Sequence, residues 1–286
     1  MQVKLAKTAG FCFGVQRAVN TVYDQINKAF GSGENIYTYG PIIHNEQVVM
    51  DLESKGVKVV NTLDEFDDLK KGTVIIRSHG VAKDIYDKIE EKGMSIIDAT
   101  CPFVKKIHQT VFTKSNEGYE ILIIGNDTHP EVEGIKGWCF SKTTVINTED
   151  EAKNFETKPG AKICIVSQTT FNYKKFNLLV EILDKKLYDI IVVNTICNAT
   201  NERQVEARHI AKSVDTMIVI GGKTSSNTQK LYEICKEECD STFYVQTSED
   251  LTKLKLLPSN LIGITAGAST PKNIIEEVQN YVRIKF

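Results

Sequence analysis

The sequence predicts an α/β protein of three similar lobes with mainly parallel sheets. Three observations carry that reading. Apolar strand-like runs alternate with amphipathic helical runs along the chain. The strand-like runs are β-branched and apolar at consecutive positions, as parallel strands covered on both faces require. Short polar motifs also recur, from 85 residues apart (His44 to His129) to 97 (His129 to Ser226).

The strands read from composition are Val74–Ile76, Ile121–Ile124, Ile163–Val166, Ile190–Val193, Met217–Ile220 and Leu261–Ile264. The helical runs include Lys83–Lys92, Asn177–Lys186, Asn201–Lys212 and Lys272–Val282. The recurrences divide the chain into expected lobes 14–98, 99–194 and 195–286, in a pseudo-threefold arrangement. Residues 1–13 form an N-terminal segment that carries a cysteine and whose strand is not assigned to a lobe.

The bulk properties narrow the class. Hydrophobic residues make up 41% and charged residues 25%, the balance of a soluble globular protein. A formal charge of −2 provides no basic surface for nucleic acid. Lys4 and Lys7 interrupt any signal-peptide core, and no apolar run is long enough to span a membrane. Seven scattered cysteines, an odd number, fit a reducing cytoplasm and cysteines used as ligands or core residues.

One construction recurs: a short strand, a cysteine, then a helix. Ile96–Asp98 leads to Cys101 and a helix opened by Pro102; Val3–Ala6 leads to Cys12; Ile190–Val193 leads to Cys197. A fourth copy, Leu261–Ala266, carries Ser269 where a cysteine is expected. The cysteines are 89 (12 to 101) and 96 (101 to 197) residues apart. A helix N-terminus stabilises a thiolate, and three thiolates suit three corners of a [4Fe–4S] cluster with one iron open. Spacing alone is equally consistent with three buried structural cysteines. Cys164 reads as core, and Cys235 and Cys239 as a half-buried pair on one helix face. Cys139 lies outside the repeat.

Two polar motifs accompany the cysteines. The first is Gly-x-x-x-His-x-Glu: Gly40 to His44 and Glu46, then Gly125 to His129 and Glu131, with a third copy from Gly222 placing Ser226 at the histidine position and Asn227 after it. The second is a polar turn at a strand end: Arg77–Gly80, then Ser167–Thr170, then Gln246–Ser248, with His79 matched to Thr169. His44, His79, His129, Thr169, Thr170, Ser225, Ser226, Asn227 and Ser269 could together donate to phosphate oxygens, with Arg77 and Lys223 adding charge. The serines and Asn227 are equally good helix caps. His108 and His209 read as solvated helical residues.

In combination these blocks resemble the 4-hydroxy-3-methylbut-2-enyl diphosphate reductases, the LytB family. The similarity rests on Gly10–Val15, Gly40 through Asn45, Arg77–Gly80, Asp98–Pro102, His129–Glu131, Ser167–Thr170, Thr195–Thr200, Ser225–Asn227 and Gly267–Ser269. It runs in order from residue 10 to about 271, with no appended domain expected. The resemblance implies a three-lobed fold around a [4Fe–4S] cluster held by Cys12, Cys101 and Cys197. It implies diphosphate binding by His44, His79, Ser225, Ser226, Asn227 and Ser269, with His129, Thr169 and Glu131 near the allylic alcohol. Electrons would come from ferredoxin or flavodoxin, and the products would be isopentenyl and dimethylallyl diphosphate. No Gly-x-Gly-x-x-Gly fingerprint points to direct use of NAD(P)H.

Glu131 is the expected proton donor, since like charge and desolvation near a cluster and a diphosphate would raise its pKa. The alternative for Glu131 is a helix-capping carboxylate. Two other functions fit parts of the pattern: a non-redox cluster enzyme of the quinolinate synthase kind, and a zinc-stabilised scaffold that binds a phosphorylated partner.

Overall fold

Every strand pairing among the described residues is parallel, and the strands form three four-stranded sheets. The structure is a computed structural model describing residues 2–31, 33–254 and 259–285. The chain opens with β1 (Gln2–Leu5), passes Cys12 and enters α1 (Phe13–Ala29). There follow β2 (Asn35–Tyr39), α2 (Glu46–Ser54), β3 (Val57–Val60), a 3-10 turn over Asp64–Asp68, β4 (Gly72–Ile76), α3 (Lys83–Glu91) and β5 (Ser95–Asp98). Cys101 leads into α4 (Pro102–Asn116). The pattern then repeats as β6 (Glu120–Ile124), α5 (Pro130–Lys136), β7 (Thr143–Ile146), α6 (Glu149–Asn154), β8 (Lys162–Ser167), α7 (Tyr173–Asp184) and β9 (Asp189–Val192). Cys197 leads into α8 (Asn198–Ala211), β10 (Thr216–Ile220), α9 (Ser226–Glu238), β11 (Thr242–Val245), α10 (Ser248–Thr252), β12 (Leu261–Ala266) and α11 (Lys272–Lys285).

The sheets share one strand order: β3-β2-β4-β5, β7-β6-β8-β9 and β11-β10-β12-β1. The N-terminal strand therefore closes the last sheet, with Gln2 opposite Leu261 and Leu5 opposite Ile264. β1 stands where β5 and β9 stand in the other two. This corrects the expectation at Ser269. The cysteine belonging to the third sheet is Cys12, delivered from the other end of the chain, and Ser269 belongs to a different motif.

The residues cluster into two compact units. One contains residues 1–16, 44–50 and 198–286, hence the third sheet; the other contains residues 17–43 and 51–197, hence the first two. The middle sheet shows why its strands are apolar on both faces. Phe176, Leu179 and Leu183, spaced as one face of α7, pack with Leu122, Ile124, Ile163 and Ile165. Ile107 and Val111 of α4 pack with Ile121, Ile123, Cys164 and Val166. Each such fully buried aliphatic side chain contributes about 1.5–3 kcal/mol. Cys164 is core, as expected, and Cys235 and Cys239 are buried against α8 and β10 rather than half-buried.

The turns after β4, β8 and β12 close alike. Gly80 N–H donates to Arg77 O at 3.0 Å, Phe171 N–H to Gln168 O at 3.1 Å and Thr270 N–H to Gly267 O at 3.0 Å. The counterparts are therefore Ser78, Thr169 and Ala268, then His79, Thr170 and Ser269. The expected match of His79 to Thr169 is off by one residue. Gln246–Ser248 belongs elsewhere: the amides of Gln246 and Thr247 bond the Asp250 carboxylate, as those of Asn61 and Thr62 bond Glu65 and those of Asn147 and Thr148 bond Glu151. These are helix-start caps at the ends of β11, β3 and β7.

Candidate active site

The three cysteines of the repeat are free thiols, each partly exposed and each the residue immediately before a helix. Each main-chain N–H is tied to a strand-end turn. Cys101 donates to Ser78 O at 2.9 Å, Cys197 to Thr169 O at 3.0 Å and Cys12 to Ala268 O at 3.2 Å. Every cysteine is thus anchored to the turn that carries a polar residue of the expected substrate set.

In the unit containing the first two sheets, α5 starts with Pro130 and is capped by His129, whose Nδ1 accepts from Glu131 N–H at 3.1 Å. That bond leaves the Nε2 of a neutral His129 as the protonated nitrogen. The His79 ring lies edge-on to it, with centroids 5.6 Å apart. Glu131 is 2% exposed. One of its oxygens accepts from Thr169 N–H at 2.6 Å, the other from Thr169 Oγ1 at 2.7 Å. Burial raises its pKa to about 7, against the lowering effect of the two Thr169 bonds. Gln168 braces the same turn: its Oε1 accepts from Asn126 N–H at 3.1 Å and its Nε2 donates to Thr170 Oγ1 at 3.0 Å.

The other unit holds a cluster of neutral polar groups at the N-terminus of α9. Ser225 caps the helix, accepting from Thr228 N–H at 3.3 Å and Thr228 Oγ1 at 2.9 Å. The Ser269 hydroxyl lies 3.2 Å from Ser225 Oγ and 3.1 Å from the His44 carbonyl. Ser226 is half-buried. Asn227 is 4% exposed, and neither its amide nitrogen nor its amide oxygen has a hydrogen-bond partner. A side-chain amide buried in that state costs about 1–3 kcal/mol, so its retention calls for a physical reason. The approach of the elements is close: a Cβ on Gly267 would stand 1.9 Å from Thr228 Oγ1.

Strand ends also fix the register of the histidine motif. β6 ends at Ile124 before Gly125, and β10 ends at Ile220 before Gly221. Counting from Gly221 rather than Gly222 puts Ser225 at the place of His129 and Asn227 at the place of Glu131. Glu46, the counterpart in the first sheet, is exposed. Of the expected charged neighbours, Arg77 closes its own turn, with Nε 3.4 Å from Gly80 O, and Lys223 is exposed.

One expectation fails outright. His108 is not solvated but 3% exposed, stacked on Trp138 at 5.2 Å between ring centroids. Trp138 Nε1 donates to Val81 O at 2.9 Å, and a Cβ on Gly80 would stand 2.5 Å from His108 Cε1. The positive φ of 70° at Gly80 adds a second reason for glycine there. The pair therefore backs the turn that carries His79. Burial lowers the His108 pKa to about 4, so it is neutral at physiological pH. The signal was present in the sequence: His108 follows Val104 by four residues and precedes Val111 by three, on the apolar face of α4. His209 is exposed, as expected.

Residues 3–283 match the family described as LytB protein. The chain belongs to the LytB family. It is 47% identical over 284 residues to a protein of Thermoanaerobacter sp. (strain X514) named 4-hydroxy-3-methylbut-2-enyl diphosphate reductase, covering 99% of this chain and 97% of that one. Among solved structures it resembles the E-1-hydroxy-2-methyl-but-2-enyl-4-diphosphate reductase from Plasmodium falciparum, with a TM-score of 0.90 and 31% identity over 99% of this chain and 87% of that one. A second solved structure, described as (E)-4-hydroxy-3-methyl-but-2-enyl diphosphate reductase, the terminal enzyme of the non-mevalonate pathway, aligns with a TM-score of 0.67 and 40% identity, covering 99% of this chain and all of that one. Family membership makes the chain an oxidoreductase. No helix among the described residues is long and apolar enough to cross a membrane.

Proposed function

We propose that the chain catalyses the reductive dehydroxylation of (E)-4-hydroxy-3-methylbut-2-enyl diphosphate to isopentenyl and dimethylallyl diphosphate, the last step of the non-mevalonate isoprenoid pathway, in the cytoplasm. The observation that carries this reading is the double role of Thr169. Its N–H and hydroxyl hold the Glu131 carboxyl, while its carbonyl holds the amide of Cys197. One residue thus joins an acid with a pKa of about 7 to a cysteine at a helix start.

Cys12, Cys101 and Cys197 fit a [4Fe–4S] cluster: they are unbridged thiols, partly exposed, at helix N-termini that favour an anionic group. When bound, the cluster supplies the two electrons of the reduction, delivered by ferredoxin or flavodoxin. The remaining chemistry belongs to the chain. The C–O bond of the alcohol breaks, the hydroxyl takes a proton from Glu131, and it leaves as water. The bonding pair leaves with the oxygen; the two electrons supplied become the pair on the allylic carbons, and this takes a second proton at either end, which gives the two products. A carboxyl with a pKa near the working pH can give a proton and regain one. Thr169 orients that carboxyl through both of its oxygens.

At the other end of the substrate, Ser225, Ser226, Ser269, His44 and His79 bind the diphosphate together with the Asn227 amide. The N-terminus of α9 adds aligned N–H groups. These contacts are the same in substrate and product, so they set affinity rather than rate.

The test is Glu131→Gln, purified and assayed without oxygen. The variant should retain iron and sulfide, bind the substrate, and lose most turnover. Turnover near the parent rate would remove Glu131 from the reaction.

A further inference from the structure

Two arginines grip the backbone that leads into the cysteines. Arg203 lies on α8, which starts one residue after Cys197. It is 5% exposed, and its guanidinium donates through Nη2 to Gly10 O at 2.5 Å and through Nη1 to Ala199 O at 3.2 Å. One turn on, Glu206 of the same helix takes the other part of that loop. Its carboxylate accepts from the N–H groups of Lys7 and Thr8, each at 2.9 Å, and from Thr8 Oγ1 at 2.6 Å. These bonds lower the Glu206 pKa against the effect of burial, which keeps it anionic. Residues 7–10, immediately ahead of Cys12, are therefore held by two opposite charges on one helix. Gly10 adopts a φ of 105°, a conformation the loop must be held in rather than one most residues fall into.

Arg17 repeats the device. It lies on α1, which starts one residue after Cys12. Its Nη1 donates to Thr100 O at 3.0 Å and Ala99 O at 3.3 Å, and its Nη2 to Asp98 O at 3.4 Å. These are the three carbonyls ahead of Cys101. Arg17 forms no ion pair among the described residues, so its charge stays near that loop. Each arginine sits on the helix after one cysteine and holds the backbone ahead of another.

Interior loop carbonyls need donors whatever the function. A planar guanidinium with fixed donors does more, because it locks two or three carbonyls in one geometry. It also leaves a permanent positive charge within a few residues of a thiol. Three thiolates on a cluster that accepts electrons make an anionic centre, and nearby fixed charge and hydrogen bonding set its reduction potential. Resting on the three-cysteine cluster proposed above, we propose that Arg17 and Arg203 are positioning residues for that cluster: they preset the backbone ahead of Cys101 and Cys12 for ligation and favour the reduced state.

The test compares anaerobically reconstituted parent, Arg17→Gln, Arg203→Gln and Arg203→Lys, with Arg208→Gln as control. Arg208, partly buried on the same helix as Arg203, pairs with Glu237 and Glu238 and, among the described residues, holds no loop ahead of a cysteine. Three quantities are read: iron and sulfide per chain, the rate of iron release to a chelator, and the midpoint potential by optical titration. Arg17→Gln and Arg203→Gln should release iron about tenfold faster and reduce at a lower potential. Arg203→Lys should keep the potential, because the charge remains, and still release iron quickly, because the fork is lost. Arg208→Gln should match the parent. Glutamine variants that melt earlier but keep the parent's iron-release rate and potential would reduce both arginines to structural glue and overturn the proposal. If Arg203→Gln does not fold, the half-exposed Arg17 decides by the same readings. A parent chain that takes up no iron and sulfide is a separate outcome, which overturns the cluster itself.

Discussion

Glu131 and Asn227 occupy one station in two different sheets. Each is the second residue of the helix that follows a central strand, β6 in one case and β10 in the other. Each is almost fully buried, at 2% and 4% exposure. Their surroundings differ at several corresponding residues, His129 against Ser225 and Gln168 against Gly267 among them, and the turn residue opposite is one of these. Thr169 offers Glu131 an N–H and a hydroxyl, while its counterpart Ala268 has no hydroxyl to offer Asn227. One station therefore holds a satisfied acid with its pKa near neutrality, and the other an amide with both atoms unpaired. On the function proposed above, the repeated scaffold gives one corner to proton donation and the other to the diphosphate. The residue opposite, Thr169 or Ala268, is one difference that a substitution can test.

The largest expected effect breaks the acid corner. Glu131→Gln keeps the shape and can still meet Thr169, with the amide oxygen accepting the N–H and the amide nitrogen donating to the hydroxyl. Only the transferable proton is lost. General acid catalysis is worth about 10²–10⁴-fold, so turnover should fall by that order while iron content and substrate affinity hold. The same variant reports on stability. The folded-state pKa of Glu131 is raised, from 4.5 to about 7. The parent is thus favoured in the protonated form, and loses that stability as pH rises from 4.5 through 7. Glutamine does not titrate, so the variant should gain on the parent across that window, by up to about 3 kcal/mol. Melting curves of the two at pH 5 and pH 8 check this. A constant difference would mean that Glu131 is not titrating in a dry site.

The second effect breaks the receiving corner. Removing one hydrogen bond to a charged ligand costs about 1.5–3 kcal/mol, or roughly 10–150-fold in affinity. Asn227→Ala should therefore weaken substrate, isopentenyl diphosphate and dimethylallyl diphosphate alike, as calorimetric titration would show. The buried orphan amide also predicts the opposite sign for stability. Asn227→Leu removes a buried group that lacks partners, so the ligand-free chain should melt higher by a few degrees. A variant that binds diphosphates normally, or a leucine variant that melts lower, would mean the amide has partners in solution and the contrast with Glu131 is not real.

How far the sequence showed these two corners depends on the kind of signal. Continuous apolar runs announced β4, β6, β8, β9, β10 and β12; all but β9 are largely buried, while β9 is an edge strand with Asp189 and Val192 exposed. β2, with Asn35 and Thr38 inside it, and the edge strands β3, β7 and β11, each interrupted by polar residues such as Lys58, Thr143 and Thr144, or Thr242, carry no continuous apolar run and were not read. The cysteine repeat was legible, but the circular closure by β1 was not, because pairing between chain ends leaves no local mark. One-residue errors in matching His79 and Ser226 followed from counting along motifs without strand ends to anchor them. Arg17 and Arg203 were invisible for another reason: on an amphipathic helix an arginine reads as solvated until the carbonyls it reaches are known.

The smallest effect sharpens the comparison at the turn residue opposite. Thr169→Val keeps the branched shape and the backbone N–H, so one of the two bonds to Glu131 survives. The hydroxyl bond is lost, and with it part of what favours the ionised carboxyl. The Glu131 pKa should then rise further, by about one to two units if the bond is worth about 1.5–3 kcal/mol. An acid that must be protonated to act gives a rate that falls as pH rises through its pKa. The alkaline limb of kcat/KM should therefore move up in the valine variant and stay in place in Thr169→Ser. At pH 6 the valine variant, lacking the hydroxyl that aims the carboxyl, should still be slower by several-fold, and the serine variant close to the parent. A valine variant with the parent's limb and the parent's rate would show that Ala268 and Thr169 differ without consequence. The division between the two corners would then have to come from elsewhere in the third sheet.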